Sequence, residues 1–181
     1  MKNTLPSRET CLQLLAKHAI PENIVMHSLA VEKAAVFIAE KLLQAGEKID
    51  VSLVSRAALL HDIDKPLTLA SGSGHGLVSK QILEKEGLPE IALIALKHHT
   101  YTILQKKPFS NWEEKVVYYS DKRVNHDQIV SLRERFDYLL ERYGKEKKEF
   151  EKIFSCKSRV EKLEKEIFSK INASSELEEL K

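Results

Sequence analysis

Apolar residues spaced by three and four run along almost the whole of this chain, and no stretch alternates for long enough to make a strand. That periodicity admits an all-α fold, a helical bundle, and little else. Ser7 caps a first helix through about His18, with Leu12 and Leu15 facing inward. Ile20-Pro21-Glu22-Asn23 breaks it, and Pro21 opens a second helix on which Ile24, His27, Val31, Ala34 and Ile38 share a face. Gly46 ends that helix. Asp50 caps a third, with Val51, Val54, Ala57, Ala58 and His61 on one stripe. Ser71-Gly72-Ser73-Gly74 reads as a flexible loop, and His75 as the start of the helix whose core face is Leu77, Val78, Ile82 and Leu83. Gly87-Leu88-Pro89 closes it, and a short helix from Pro89 leads to His98-His99. Ser110-Asn111-Trp112-Glu113 has the spacing of a capping box, ahead of a helix that puts Val117, Asp121 and Val124 on one face.

The C-terminal part changes character. Leu132, Phe136, Leu139 and Leu140 mark an amphipathic helix from about Ser131 to Tyr143, stopped by Gly144. Phe150, Ile153, Val160, Leu163 and Ile167 then form a narrower seam in a highly charged helix, and the tail from Asn172 reads as frayed. The chain therefore divides into a helical domain over 1–130 and C-terminal helices over 131–181. Those helices either pack on the domain or serve a homodimer. A length of 181 residues, 43% hydrophobic and 31% charged, describes a soluble globular protein with a real core. A net charge of +2, with basic and acidic residues interleaved, argues against nucleic acid as a partner. No apolar run is long enough for a membrane span, the first residues have no signal core, and two distant cysteines suggest free thiols. The expectation is a cytoplasmic protein.

Chemistry concentrates at His61-Asp62, where the apolar third helix meets the polar turn Ile63-Asp64-Lys65. An imidazole and a carboxylate at a core boundary are expensive to bury unless something binds them. His27 lies upstream; His75, His98, His99 and Asp121 follow. Each has a dull explanation when taken alone. His27 or His61 would be a satisfied core residue, His75 a helix-start residue, and His98 or His99 a favourable charge at a helix C-terminus. Asp121 would pair with Lys122 or Arg123. Jointly, five helices each deliver a His or Asp at an inner face or end, and that is a ligand set for divalent transition metals. The short carboxylate of Asp62 is placed to bridge to a second ion.

The order His27, His61-Asp62, Asp121 resembles the H…HD…D signature of the HD superfamily of metal-dependent phosphohydrolases, over roughly residues 20–130. Leu59-Leu60-His61-Asp62-Ile63-Asp64-Lys65 resembles its HDIG-type subgroup, and His75-Gly76 with His99-Thr100 resembles the second-metal histidines of two-ion members. The chain also resembles bacterial hydrolases that split diadenosine tetraphosphate symmetrically. The resemblance implies His27, His61, Asp62 and Asp121 around one metal and Asp62, His75 and His99 around a second, with His98 competing for the place of His99. Asp64 departs from the pattern, where glycine is common. It would support a ligand, pair with Lys65, or repel substrate phosphate.

Fe, Mn, Co, Ni or Zn suit these ligands, and Mg is admissible. Two cations ~3.5–4 Å apart would activate water for in-line attack on phosphorus. Asp62 or Asp64 would accept a proton. Lys65, in the position of the family's motif lysine, would face the phosphate of a small substrate such as a nucleotide. Lys97, Lys122 and Arg123 are further candidates, against the plain reading of lysines and arginines as solvated charges. Tyr101, Phe109 and Trp112 either stack on a base or pack. Two rivals accompany this hydrolase reading. One is a di-iron oxygenase on the same ligands; the other is a non-catalytic module that senses a nucleotide or binds a partner.

Overall fold

The computed structural model describes residues 5–71 and 74–180; Gly72 and Ser73 of the expected loop lie outside them. The molecule is an all-α bundle built around α2 (Glu22–Gln44), which packs on α3 (Val51–Leu60) and α7 (Trp112–Asp121). The inner face of α2 is small: Val31, Ala34, Ala35, Ile38, Ala39 and Leu42 are fully buried, as are Ala57 and Ala58 on α3. Alanines let the two backbones approach closely, and Ile38 and Leu42 each contribute about 1.5–3 kcal/mol by leaving water. A bulky side chain at Ala57 or Ala58 would force the pair apart.

Capping follows the sequence with two adjustments. Ser7 and Asp50 accept from Thr10 N and Leu53 N at 3.0 Å each, so α1 (Arg8–Lys17) and α3 start as their cap residues dictate. At α7 the cap moves one residue on: Asn111, not Ser110, accepts from Glu114 N at 2.9 Å. Pro21 sits at the N-cap of α2 and not inside it. A helix beyond those expected, α4 (Lys65–Ser71), follows His61-Asp62, and α5 (Leu77–Lys85) begins two residues after His75. Leu67 and Leu69 of α4 are exposed, so that segment has no apolar stripe to announce a helix.

The α6 helix (Pro89–Lys97) carries Pro at its first turn, and a 3-10 turn over Thr100–Leu104 follows it. After α7, a two-residue antiparallel pair, β1 (Val124–Asn125) with β2 (Gln128–Ile129), makes the tight hairpin that leads to α8 (Leu132–Tyr143). Ser131 and Glu134 close a full capping box on α8. The seam of α9 (Lys147–Phe168), namely Ile153, Cys156, Val160, Leu163 and Ile167, is buried within the chain against α7, α8 and the 3-10 turn. The expected fraying of the tail is not seen among the described residues. Leu177 is buried, and Arg123 NH1 donates to the Ser175 carbonyl.

One polar cluster links three helices through paired groups. Arg8 forks onto Glu32 (Nε at 3.0 Å, NH2 at 2.8 Å), and Ser55 Oγ donates to the same carboxylate at 2.6 Å. This cluster ties α1, α2 and α3 together where one unpaired charge would be costly.

Candidate metal centre

Four imidazoles converge between α2, α3, α6 and the turn before α5, and the other end of each ring is already committed. His61 Nδ1 donates to the Ala58 carbonyl at 2.7 Å, His98 Nδ1 to the Ala95 carbonyl at 2.5 Å, and His27 Nδ1 to the His126 carbonyl at 2.7 Å. His75 Nδ1 donates to Asp64 Oδ1 at 2.9 Å. With the proton on Nδ1, each Nε2 presents a lone pair, the state in which histidine ligates metals.

The Nε2 atoms meet two carboxylates. Asp62 Oδ2 lies 3.5 Å from His61 Nε2 and 3.8 Å from His27 Nε2. Its other oxygen, Oδ1, lies 3.2 Å from His98 Nε2 and 3.4 Å from His75 Nε2. Asp121 Oδ1 approaches His27 Nε2 to 3.1 Å and His61 Nε2 to 3.7 Å. His98 Nε2 and His75 Nε2 are 2.8 Å apart. Two lone pairs at that distance repel unless they share a proton or bind a common cation. His61 Nε2 and Asp62 Oδ1 are buried and have no hydrogen-bond partner, a costly condition that ligation would remove. The donor set, its geometry and these two orphaned atoms all fit divalent metal. Three overlapping groups could hold an ion: His27, His61, Asp121; His61, Asp62, His98; and Asp62, Asp64, His75.

Electrostatics agree with the geometry. Burial alone would raise the Asp62 and Asp121 pKa values. For Asp62, the proximity of His61, His98 and Lys65 outweighs it; for Asp121, Lys122, His27 and His61 do. Both carboxyls are held well below the usual range. Burial works against protonated His61, yet Asp62 and Asp121 raise its pKa. His98 is pushed down to about 4, chiefly by burial, and stays neutral.

Of the adjacent pair, His98 stands within the cluster, while His99, preferred from the sequence, lines the adjoining cavity. His99 Nδ1 accepts from Tyr101 N at 3.3 Å and caps the 3-10 turn, and its ring centroid is 5.9 Å from that of His75. His98 continues the helical backbone of α6 (φ −73°, ψ −15°), whereas the chain at His99 is extended (φ −56°, ψ 138°), so the two rings leave the backbone in different directions. Asp64 is fully buried, and its acceptors are taken by His75 Nδ1, by Gly76 N at 2.8 Å and by Ser79 N at 3.2 Å. It orients His75, and it lines neither cavity at the site, which does not suit the proton-accepting role considered for it. Gly76 makes that clamp possible. Its φ is +83°, and a Cβ there would sit 3.1 Å from the Leu96 carbonyl oxygen.

A cavity of roughly 240 Å³ opens beside the cluster, with Asp62, Lys65, His75, His98, Asp121 and Lys122 in its wall. Lys65 Nζ lies 3.6 Å from Asp62 Oδ1. Lys122 is buried, donating to Asp121 Oδ2 and, at 3.0 Å, to the His98 carbonyl. Two expected phosphate contacts are elsewhere. Lys97 pairs with Glu114 at 2.9 Å, and Arg123 is spent on Val130 O, Tyr119 Oη, Ser175 O and Glu164. Neither lines the cavity. Of the three aromatics, Tyr101 is in the cavity wall, while Phe109 packs on Tyr118 and Trp112 Nε1 donates to Glu47 at 2.8 Å.

Sequence reasoning missed two contributors. The first is the His126 backbone, whose φ of +56° aims its carbonyl at His27; the ring of His126 plays no part in the cluster. The second is α8, which sends Arg135, Leu139 and Tyr143 into the cavity wall. Arg135, Tyr138, Leu139 and Arg142 stand at i, i+3, i+4 and i+7, a second stripe beside the apolar one, and that spacing was the available signal.

A helical bundle that gathers imidazole and carboxylate groups from four helices at a buried His-Asp doublet is a metal-binding helical domain. The chain belongs to the HD domain family, whose model matches residues 24–154, through α8 and into α9. It is 33% identical to an uncharacterized protein of Methanocaldococcus jannaschii, over 70% of this chain and 84% of that protein. It is also 28% identical to a tRNA (cytidine(56)-2'-O)-methyltransferase of Thermoplasma volcanium, over 74% of this chain but 41% of that protein. A third relative, ribonuclease Y of Aquifex aeolicus, is 30% identical over 48% of this chain and 15% of its own length. No solved structure matches the chain significantly. Among the described residues, no helix is long and apolar enough to cross a membrane.

Proposed function

We propose that this protein is a phosphohydrolase that uses two divalent ions, one on the His27–His61–Asp121 side and one on the His75–His98 side, with Asp62 between them. The observation that carries this reading is Asp62, which turns one oxygen toward each pair of histidines, 3.5 and 3.8 Å on one side and 3.2 and 3.4 Å on the other. Divalent ions in these places would supply Lewis acidity, lowering the pKa of water toward neutrality and offsetting charge on a phosphoryl group.

The chain's own residues do the rest. Asp64 fixes the tautomer and angle of His75, and the His126 carbonyl does the same for His27. Lys65, a quarter exposed beside Asp62, is the cation best placed for a phosphoryl oxygen. Lys122 holds Asp121 and the α6 terminus in register. Burial lowers its pKa against the pull of Asp121, so its charge depends on that carboxylate. The substrate is a small phosphorylated molecule, with nucleotides and dinucleoside polyphosphates first among the compounds to try.

The test supplies manganese, cobalt, iron, nickel, magnesium and zinc in turn and measures phosphate or nucleotide release from a panel that includes diadenosine tetraphosphate. Release by the wild type, lost in His61→Ala and Asp62→Ala, is expected. Oxygen uptake in place of phosphate release would establish the oxygenase instead. Nucleotide binding without turnover of any panel member would make the domain a sensor.

A further inference from the structure

The cavity over the ligand cluster shares Asp62, Lys65 and Arg135 with a larger groove of about 670 Å³, nearly three times its volume. A single phosphoryl group cannot fill that groove. One wall is α8. Arg135 NH1 donates to Asn125 Oδ1 at 3.0 Å, while its Nε is buried with no partner. Lys65 and Lys122 each face a carboxylate of the ligand cluster, but Arg135 makes no ion pair among the described residues. A guanidinium with an unused buried donor beside a cavity is poised for an anion, whose oxygens its planar fork matches.

Two turns further on, Arg142 NH1 donates to Tyr138 Oη at 2.5 Å. The Tyr138 ring lies 5.7 Å from the Arg135 guanidinium and 5.8 Å from that of Arg142. The wall is therefore guanidinium, phenol, guanidinium, a row of planar groups that stack on other planar groups. With Asp62 committed to metal, the groove sets Lys65, Arg135 and Arg142 against the carboxylates Glu22 and Asp127.

We propose that Arg135, Tyr138 and Arg142 form the leaving-group site, and that the substrate is an organic phosphate whose leaving group is planar and carries an anion of its own. This rests on the phosphohydrolase reading for the direction of cleavage, but the site itself is testable by binding. Metal-loaded full-length protein is titrated calorimetrically with adenosine 5′-monophosphate, ribose 5-phosphate, adenosine and inorganic phosphate. The monophosphate should bind tightest. Arg135→Ala should weaken it and ribose 5-phosphate by about tenfold or more, leaving adenosine unchanged. Arg135→Lys, which keeps the charge but not the fork, should recover part of the loss. Tyr138→Leu should reduce the advantage of the nucleotide over ribose 5-phosphate. Arg142→Gln, on the exposed end of the helix, tests the site without risk to the core and should cost a few-fold.

Equal affinity for inorganic phosphate and the nucleotide would overturn the proposal. So would an unchanged nucleotide affinity in Arg135→Ala and Arg142→Gln at full metal content. If the wild type hydrolyses panel substrates and these variants leave KM unaltered, the leaving-group site alone is refuted. If it binds the nucleotide through α8 but hydrolyses nothing, this site stands and the phosphohydrolase reading falls.

Discussion

The two sides of the ligand cluster are held in different ways. His27, His61 and Asp121 come from α2, α3 and α7, the helices packed around the Ala-rich core, and their positions follow from burial of those helices. His75 stands in a turn after α4, a seven-residue helix with exposed leucines, and is held by the Asp64–Gly76–Ser79 clamp. One side is held by the packed core; on the other, His98 comes from the buried end of α6 while His75 depends on one carboxylate whose acceptors are occupied. Outer partners of this kind commonly set metal affinity as strongly as packing does.

Asp62→Ala should erase the difference by removing the oxygen that faces each side. Metal content by elemental analysis should collapse, and phosphate release should fall by more than the ~100-fold that loss of an outer partner costs. His27→Ala and His75→Ala should instead separate the sides, each lowering the bound metal from about two ions per chain to about one. Retention of full metal in His75→Ala would place both ions on the α2–α3–α7 side. Asp64→Asn keeps the size of the side chain but turns a donor NH2 toward either His75 Nδ1 or the Gly76 and Ser79 N–H groups, breaking the clamp. Metal affinity on that side should drop ~10–100-fold in a competition titration, with the other side unaffected.

Acid should also distinguish the sides in metal-free protein. His98 is pushed down to about 4 by burial first, and His99 to about 4 by burial and then by Lys122. A folded pKa below the unfolded value of 6.5 means the unfolded chain binds more protons, so stability is present above 6.5 and is lost as pH falls toward 4. His61, with its pKa raised, has the opposite sign, contributing fully below 6.5 and losing that contribution as pH rises through its folded value. Thermal melts of metal-free protein across this window should therefore show less acid loss in His98→Asn than in the wild type. The smallest effect belongs to Lys97→Ala, outside both sides. It should cost at most about 1 kcal/mol and leave metal content and phosphate release unchanged.

Much of this molecule is legible along the chain. Ser7, Asp50 and Ser131 start their helices as their side chains dictate, because capping is local. The alternation of α2 and α3 apolar stripes with His27 and His61 on them was readable for the same reason. Legibility failed where the deciding partner was distant. Asp64 could support a ligand, pair or repel until Gly76 N and Ser79 N were seen on its oxygens. Arg123 read as a substrate cation until Ser175 and Val130, on separate segments, were found to use its donors.

By itself, then, the sequence determined the all-α class, most helix ends, and the set of imidazoles and carboxylates available to a metal. Periodicity and capping act within a few residues, so order along the chain suffices for them. Only the tertiary structure decided that His98 enters the cluster while His99 caps a turn, and that Asp62 divides its oxygens between two pairs of histidines. It alone brought the stripe Arg135–Tyr138–Arg142 alongside the cluster. Each of those depends on a side chain's direction in space to within an ångström or two, which only the packing of helices distant in sequence can set.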